Sequence, residues 1–472
     1  MGNKKHDKHS RHEKHAHNGH NDAFVHATAT TSAASDLYPG TIVPQRSWEG
    51  ALAITNVRLI DGTGADPIDD ATIIVEGERI TALGSSNDVT IPGDATVVEA
   101  QGKTVLPGLI DCHVHLSGQW GYDLLRSLMT SPSLSVLYGV PNARATLEAG
   151  ITTVRDAGGT PAALKLAVER GLFPGPRMLV AVSFLSQTGG HGDHMMPCCI
   201  DLGDNLLRDV PSGVVDGPEA MRRTVREILR AGADWIKLCT SGGVLSSADS
   251  PHHAQFTVEE IAVAVYEAAT QGKRCMAHAQ SNRGIKNALE AGIASIEHGI
   301  YLDDEAIELM LKNNVYLVPT LVAPQDVIDL AVAKPGLLPD YAVNKSLEVM
   351  AAHRTSFRRA VEAGVKIAMG TDTGVGPHGG NARELGLMVE NGMTPMQAIV
   401  ASTRNAAALL HLDDRLGTLA PSMLADLLLV DGDPLEDVRV LEAADRLTLV
   451  LKGGALASGQ LETASRSIPV TA

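Results

Sequence analysis

Residues 108–116 read G-L-I-D-C-H-V-H-L. An apolar run enters two histidines one residue apart, and side chains two apart in a strand share a face. His113 and His115 are therefore placed to grip one metal ion together. Cys112 and Val114 would face covering helices, as expected of a strand in a layered α/β protein. Two half-buried packing histidines would have the same spacing, so the pair is not decisive by itself. The rest of a ligand set has to come from elsewhere in the chain.

Outward from this stretch, strand and helix patterns alternate. Four helix-like runs end in Ala-Gly and pass into an apolar strand: A-G-I-T-T-V at Gly150, A-G-A-D-W-I at Gly232, A-G-I-A-S-I at Gly292 and A-G-V-K-I-A at Gly364. Glycine just past a helix end supplies the left-handed cap, and repeated junctions of this kind imply a parallel sheet. Eight candidate strands follow, at 109–116, 152–156, 177–184, 235–240, 274–279, 294–299, 316–321 and 366–371. They predict an α/β protein with a closed (β/α)8 TIM barrel over 108–410, an open doubly wound sheet being the competing architecture. Short β-rich runs punctuated by glycine turns fill 51–105 and return near 425–454. They predict a small β-sandwich domain built from both chain ends, 36–107 and 411–472. Residues 1–35 are polar and studded with histidine, and read as a disordered tail or an affinity tag.

A chain of 472 residues exceeds one small core, and 44% hydrophobic with 20% charged residues marks a globular protein. With 39 basic against 55 acidic residues, the net charge of −16 argues against a nucleic-acid partner and for a small-molecule substrate. The five cysteines (Cys112, Cys198, Cys199, Cys239, Cys275) show no C-x-x-C spacing, so neither a disulfide framework nor a zinc ribbon is expected, and a reducing cytoplasm fits. No run of about 18 apolar residues predicts a membrane span, and the tail lacks a signal-peptide core. Gly374, Gly376 and Gly379 spell G-x-G-x-x-G, but Pro377 interrupts them and they follow the last barrel strand, so no dinucleotide site is expected.

In a (β/α)8 barrel the C-terminal strand ends carry the site. Five of the eight ends hold metal-ligand side chains: His113 with His115, then Lys237, His278, His298 and Asp372. In this order the chain resembles the metal-dependent amidohydrolase superfamily over roughly 51–454. The phrases L-S-Q-T-G-G-H-G-D (185–193) and I-K-L-C-T-S-G-G-V (236–244) are similar to its branch of imidazolonepropionase-like enzymes, Xaa-Pro-type dipeptidases and ochratoxin amidohydrolases, with phenylurea and thiocarbamate hydrolases nearby. The resemblance implies two divalent metal ions, zinc first with cobalt or manganese also suited. It implies that carbon dioxide condenses on Lys237 to a carbamate that bridges them, a step favoured by the neutral amine that burial produces. His113, His115 and Asp372 would complete one metal, His278 and His298 the other. Metal-activated water would attack a carbonyl carbon, with Asp372 taking the proton and passing it to the leaving amine.

For the substrate, the resemblance implies a contact from His191, in a glycine-flanked loop after strand three. Gln280, two residues after His278, shares the inward face. Relatives that bind a free carboxylate tend to carry Tyr or His there, so glutamine favours a neutral substrate. The expectation is hydrolysis of a linear carbonyl–nitrogen bond, as in an N-acyl amino acid, ochratoxin-like amide, phenylurea or thiocarbamate, by a homo-oligomer. An Xaa-Pro-type dipeptidase or carboxypeptidase and a cyclic-amide hydrolase use the same metals. A non-catalytic scaffold is disfavoured by the complete ligand set.

Overall fold

The computed structural model describes residues 48–118, 129–195, 198–201, 207 and 209–460. The His-rich stretch 1–35 lies outside the described residues.

Five strands precede the first histidine pair: β1 (Ala51–Leu59), β2 (Ile68–Glu76), β3 (Arg79–Ser85), β4 (Thr96–Glu99) and β5 (Thr104–Pro107). Eight follow, with helices between all but β8 and β9: β6 (Leu109–Val114), β7 (Ile151–Asp156), β8 (Arg177–Val180), β9 (Phe184–Leu185), β10 (Trp235–Cys239), β11 (Arg274–Ala279), β12 (Ser295–His298) and β13 (Tyr316–Val318). Three close the chain: β14 (Leu427–Val430), β15 (Leu447–Lys452) and β16 (Ala455–Gly459).

The two ends meet in one hydrogen-bonded sheet, β16-β15-β14-β5-β1-β2-β3, with β4 also on β1. The seam is β14 antiparallel to β5, where Leu427 to Val430 pair back onto Pro107 to Thr104. A single apolar cluster draws Leu52, Ile54, Ile73 and Val75 together with Leu427, Leu429 and Leu449. Burying aliphatic side chains from both ends gives the sheet its cohesion, at roughly 1.5–3 kcal/mol per side chain.

The parallel strands form the barrel. β6-β7-β8 and β9-β10-β11-β12-β13 are two arcs, and β8 and β9 are the halves of the third strand, broken at Val182, which sits at φ 64°. The eighth predicted strand is irregular but closes the ring. On one side Leu317 N donates to Lys366 O (2.9 Å) and Ala368 N to Leu317 O (3.0 Å). On the other, Cys112 N donates to Met369 O (2.9 Å) and His115 N to Thr373 O (2.7 Å). An open doubly wound sheet is thereby excluded. All four Ala-Gly junctions take the left-handed conformation, with φ between 83° and 97° at Gly150, Gly232, Gly292 and Gly364.

Strict alternation along β6 fails at one point. Val114 faces outward as expected, but Cys112 packs in the interior apolar cluster with Ile110, Trp235, Met276 and Val318. The β6–β7 register shifts between Asp111 and Val114, so Cys112 and His113 both serve the barrel interior. An irregularity of this type re-aims side chains beside a site. All five cysteines are free thiols, with Cys198 and Cys199 exposed. No helix among the described residues is long and apolar enough to cross a membrane.

Candidate active site

The barrel floor is charged and buried. Arg155, on β7, is fully buried, donates from Nη2 to both oxygens of Glu297 (2.9 and 3.0 Å) and from Nε to Cys112 O (2.7 Å), and lies over the Trp235 ring. Glu297 Oε2 in turn accepts from His113 Nδ1 at 2.7 Å. Burial alone would push this carboxyl up, but Arg155 and His113 hold it down at about 2. An ionised glutamate fixes the His113 tautomer and leaves Nε2 facing upward into the site.

The other imidazoles are tied in the same way. His115 Nδ1 meets Gly158 O at 2.8 Å, His278 Nε2 meets Gly242 O at 3.1 Å, and His298 Nδ1 meets Thr320 Oγ1 at 2.7 Å. Each ring thus spends one nitrogen on the barrel wall and keeps the other for the centre. Burial chiefly holds His278 and His298 well below the usual histidine value, helped at His278 by His191 and working at His298 against the pull of Asp372. They are neutral and able to ligate.

Two of the groups reach the centre only through unusual backbone. On β12, alternation points Ser295 and Glu297 inward and would send His298 out, but His298 adopts φ 71° and turns back. Asp372 does the same at φ 61° and Thr320 at φ 53°. Left-handed backbone at three non-glycine residues around one centre is strain of the sort that collects at functional sites.

His113, His298 and Asp372 offer ligand atoms all within 4.8 Å of one another. His115 joins through Asp372, Nε2 to Oδ1 being 3.1 Å, and His113 Nε2 lies 3.4 Å from the same oxygen. His278 packs edge-on to His298, ring centroids 4.6 Å apart. Lys237 Nζ is 3.3 Å from His113 Nε2, only 3% of the residue is exposed, and no carboxylate among the described residues lies within ion-pair distance of it. Burial chiefly drives its pKa down, against the pull of Glu297. Burial would raise the Asp372 carboxyl, but His113 and His115 hold it well below the usual carboxylate range. Four imidazoles and an ionised carboxylate lie on one interior patch beside Lys237, and of these His113, His298 and Asp372 are close enough together to hold a divalent metal ion.

Both expected substrate contacts line the space above this patch, a cavity of about 410 Å³ with a side pocket of about 60 Å³. The His191 ring stacks on His278 (4.2 Å, 17°) and its Nδ1 meets Ser246 Oγ at 2.7 Å. Gly243 lies so close to this ring that a Cβ there would fall 2.3 Å from Cε1. Gln280 is 5% exposed and opens on the side pocket. The G-x-G-x-x-G loop packs Gly374 against His115.

Three partners were not anticipated from sequence: Glu297, Arg155 and Asp249. Asp249 accepts from Gly243 N (3.3 Å), Gln255 Nε2 (3.2 Å) and Ser246 Oγ, and lies 3.6 Å from His191 Nδ1. Lys345 clamps its loop by donating to Gly243 O, Ser246 O and Asp249 O. For Glu297 a signal existed, because alternation in the run I-E-H-G points it inward beside His298.

The closed barrel carries H-x-H, lysine, two further histidines and an aspartate at the ends of its first, fourth, fifth, sixth and eighth strands, an arrangement of the hydrolase-barrel class. Residues 104–457 match the amidohydrolase family, and the chain belongs to that family, whose members hydrolyse carbon–nitrogen bonds. It is 36% identical over 422 residues to ochratoxinase of Aspergillus niger, covering 85% of each chain. Among solved structures it is similar to a Xaa-Pro dipeptidase with methionine bound in the active site (TM-score 0.80, 35% identity, 87% of this chain and 100% of that one). It is also similar to phenylurea hydrolase B (TM-score 0.71, 25% identity, 86% and 96%).

Proposed function

We propose that the protein hydrolyses a linear carbonyl–nitrogen bond in an uncharged small molecule, using two divalent metal ions held by His113, His115, Lys237, His278, His298 and Asp372. The observation that carries this reading is Lys237, an amine buried against a candidate ligand with no carboxylate partner among the described residues. Leaving a lysine cation there unpaired would cost several kcal/mol. Condensation of its neutral amine with carbon dioxide, with loss of one proton, converts it into an anionic two-oxygen donor. Zinc, or cobalt or manganese, would supply the Lewis acidity that polarises the carbonyl and makes water nucleophilic at neutral pH.

The chain's own residues do the rest. Asp372, kept ionised by His113 and His115, accepts the proton of the attacking water and delivers it to the departing nitrogen. His191, held by its stack on His278 and its bond to Ser246, presents Nε2 to the substrate. Gln280 offers a neutral amide. Wild-type protein should hydrolyse uncharged amides or ureas, lose activity to chelators and regain it with zinc. Chelator-insensitive activity would overturn the reading.

The likeness to the Xaa-Pro dipeptidase favours a second reading, peptide hydrolysis next to a free carboxylate. That reading needs a cation for the carboxylate. Among the described residues lining the cavity and side pocket, Lys237 is the one lysine and there is no arginine. Arg283 is exposed and lines neither, so His191, which lines both, is the residue left to read a carboxylate.

A further inference from the structure

Of the five cysteines, Cys112, Cys239 and Cys275 are buried, whereas Cys198 and Cys199 are exposed. A thiol sealed in a core is inert, while an exposed one meets oxidants in solvent. Its oxidation stays reversible when a second thiol stands ready to react with the first product. The exposed two are neighbours in the run M-M-P-C-C-I-D (195–201), so each has a partner thiol on the adjoining residue.

Their segment is strained and tied to the large cavity. Cys199 holds φ 64°, left-handed backbone that a non-glycine residue keeps only where its surroundings impose it. Met195 and Asp201 form an antiparallel bridge that brackets the pair. Met195 N also donates to Asp193 Oδ1 (3.0 Å), and Asp193 Oδ2 accepts from Gly189 N (2.7 Å). His191, Asp193, His194 and Met195 all line the cavity. A change of backbone at the two cysteines therefore reaches the cavity wall through one bridge and one carboxylate.

We propose that Cys198 and Cys199 are a reversible oxidation site, a dithiol that a peroxide converts to a disulfide between adjacent residues, and that its state passes through the Met195–Asp201 bridge to the cavity wall. One thiol attacks hydrogen peroxide: the O–O bond breaks, one oxygen joins the sulfur as a sulfenic acid and the other leaves as water. The neighbouring thiol attacks that sulfur, the S–S bond forms, and the hydroxyl departs with the thiol proton as a second water. The two sulfurs lose two electrons and the peroxide gains them. Adjacent Cα atoms lie about 3.8 Å apart, less than the roughly 4.4–6.8 Å that an ordinary disulfide spans. The backbone must therefore shift for the ring to close, and a disulfide under such strain is readily reduced again. One misfit thus makes the site both reversible and able to move its loop.

The test treats the full-length protein with a small excess of hydrogen peroxide, blocks remaining thiols with N-ethylmaleimide and weighs the peptide that contains both cysteines. It should be lighter by two hydrogens and carry no maleimide, and dithiothreitol should restore both thiols. Hydrogen exchange across 189–195 should change at least threefold on oxidation and revert with dithiothreitol. The change should be absent from the Cys198→Ser/Cys199→Ser protein treated in the same way. Neither readout depends on turnover, so both stand or fall apart from the hydrolytic reading. Thiols that stay reduced, go on to sulfinic acid or join two chains would overturn the site. Ring closure with unchanged exchange across 189–195 would overturn its link to the cavity.

Discussion

Glu297→Gln is the change that probes the barrel floor most sharply. The substitution keeps shape but removes the charge that pairs Arg155 at 2.9 and 3.0 Å and accepts from His113 Nδ1 at 2.7 Å. The Glu297 carboxyl is depressed from 4.5 to about 2, which at about 1.4 kcal/mol per tenfold corresponds to roughly 3 kcal/mol. Because the folded value is the lower one, that stability is present above pH 4.5 and is lost as pH falls toward 2. Removing one partner of a fully buried ion pair costs about 3–5 kcal/mol, in line with that figure. Urea unfolding at pH 7 should therefore show a loss of about 3 kcal/mol in the variant. The gap to wild type should close at acid pH, where wild-type Glu297 is itself protonated. A ligand that has lost its orienting carboxylate should also bind metal about 10–100-fold more weakly, read by chelator competition. Equal unfolding midpoints and equal metal affinity at pH 7 would refute the assigned role of the Arg155–Glu297–His113 chain.

Asp372→Asn should keep the fold and lose at least ~10²-fold in turnover, since an amide cannot take the proton; near-normal turnover at neutral pH would move the base elsewhere, to His191 first. Wild type should prefer the methyl amide of an N-acyl amino acid over its free acid, because a buried carboxylate left unpaired costs several kcal/mol against ~1 kcal/mol for an ordinary hydrogen bond. Gln280→His should narrow that preference, and a tenfold preference of wild type for the acid would count against the neutral-substrate reading. Asp249→Asn should lower kcat/KM about tenfold or more in wild type but change it less than twofold in a His191→Ala background, as expected if Asp249 acts by holding His191; equal losses in both would make its role purely structural.

Much of the barrel and its strand ends was legible because two signals coincide there, a period of two or 3.6 in the apolar residues and histidine, lysine or aspartate at five of the eight strand ends. His113, Lys237, His278 and Asp372 stand out by type, and the Ala-Gly junctions by their caps. What escaped depends on geometry that periodicity does not carry. Cys112 breaks alternation because the β6–β7 register slips. The eighth strand is stitched to its neighbours by scattered bonds through Lys366 O, Met369 O and Thr373 O rather than a regular ladder. The clamp on the His191 loop joins Asp249 to Lys345, 96 residues away, and no local pattern links them. Arg155 was hidden in an apolar strand, where its partner Glu297 lies 142 residues on.

In the proposed reaction Lys237, once carboxylated, would supply an oxygen donor to each of two metal ions. The most direct measurement is elemental analysis of protein lacking residues 1–35, loaded with zinc in bicarbonate, so that the His-rich tail contributes nothing to the count. About two metal ions per chain are expected, falling to one or fewer in Lys237→Ala. A count near zero in wild type, or about two in Lys237→Ala, would contradict the proposal.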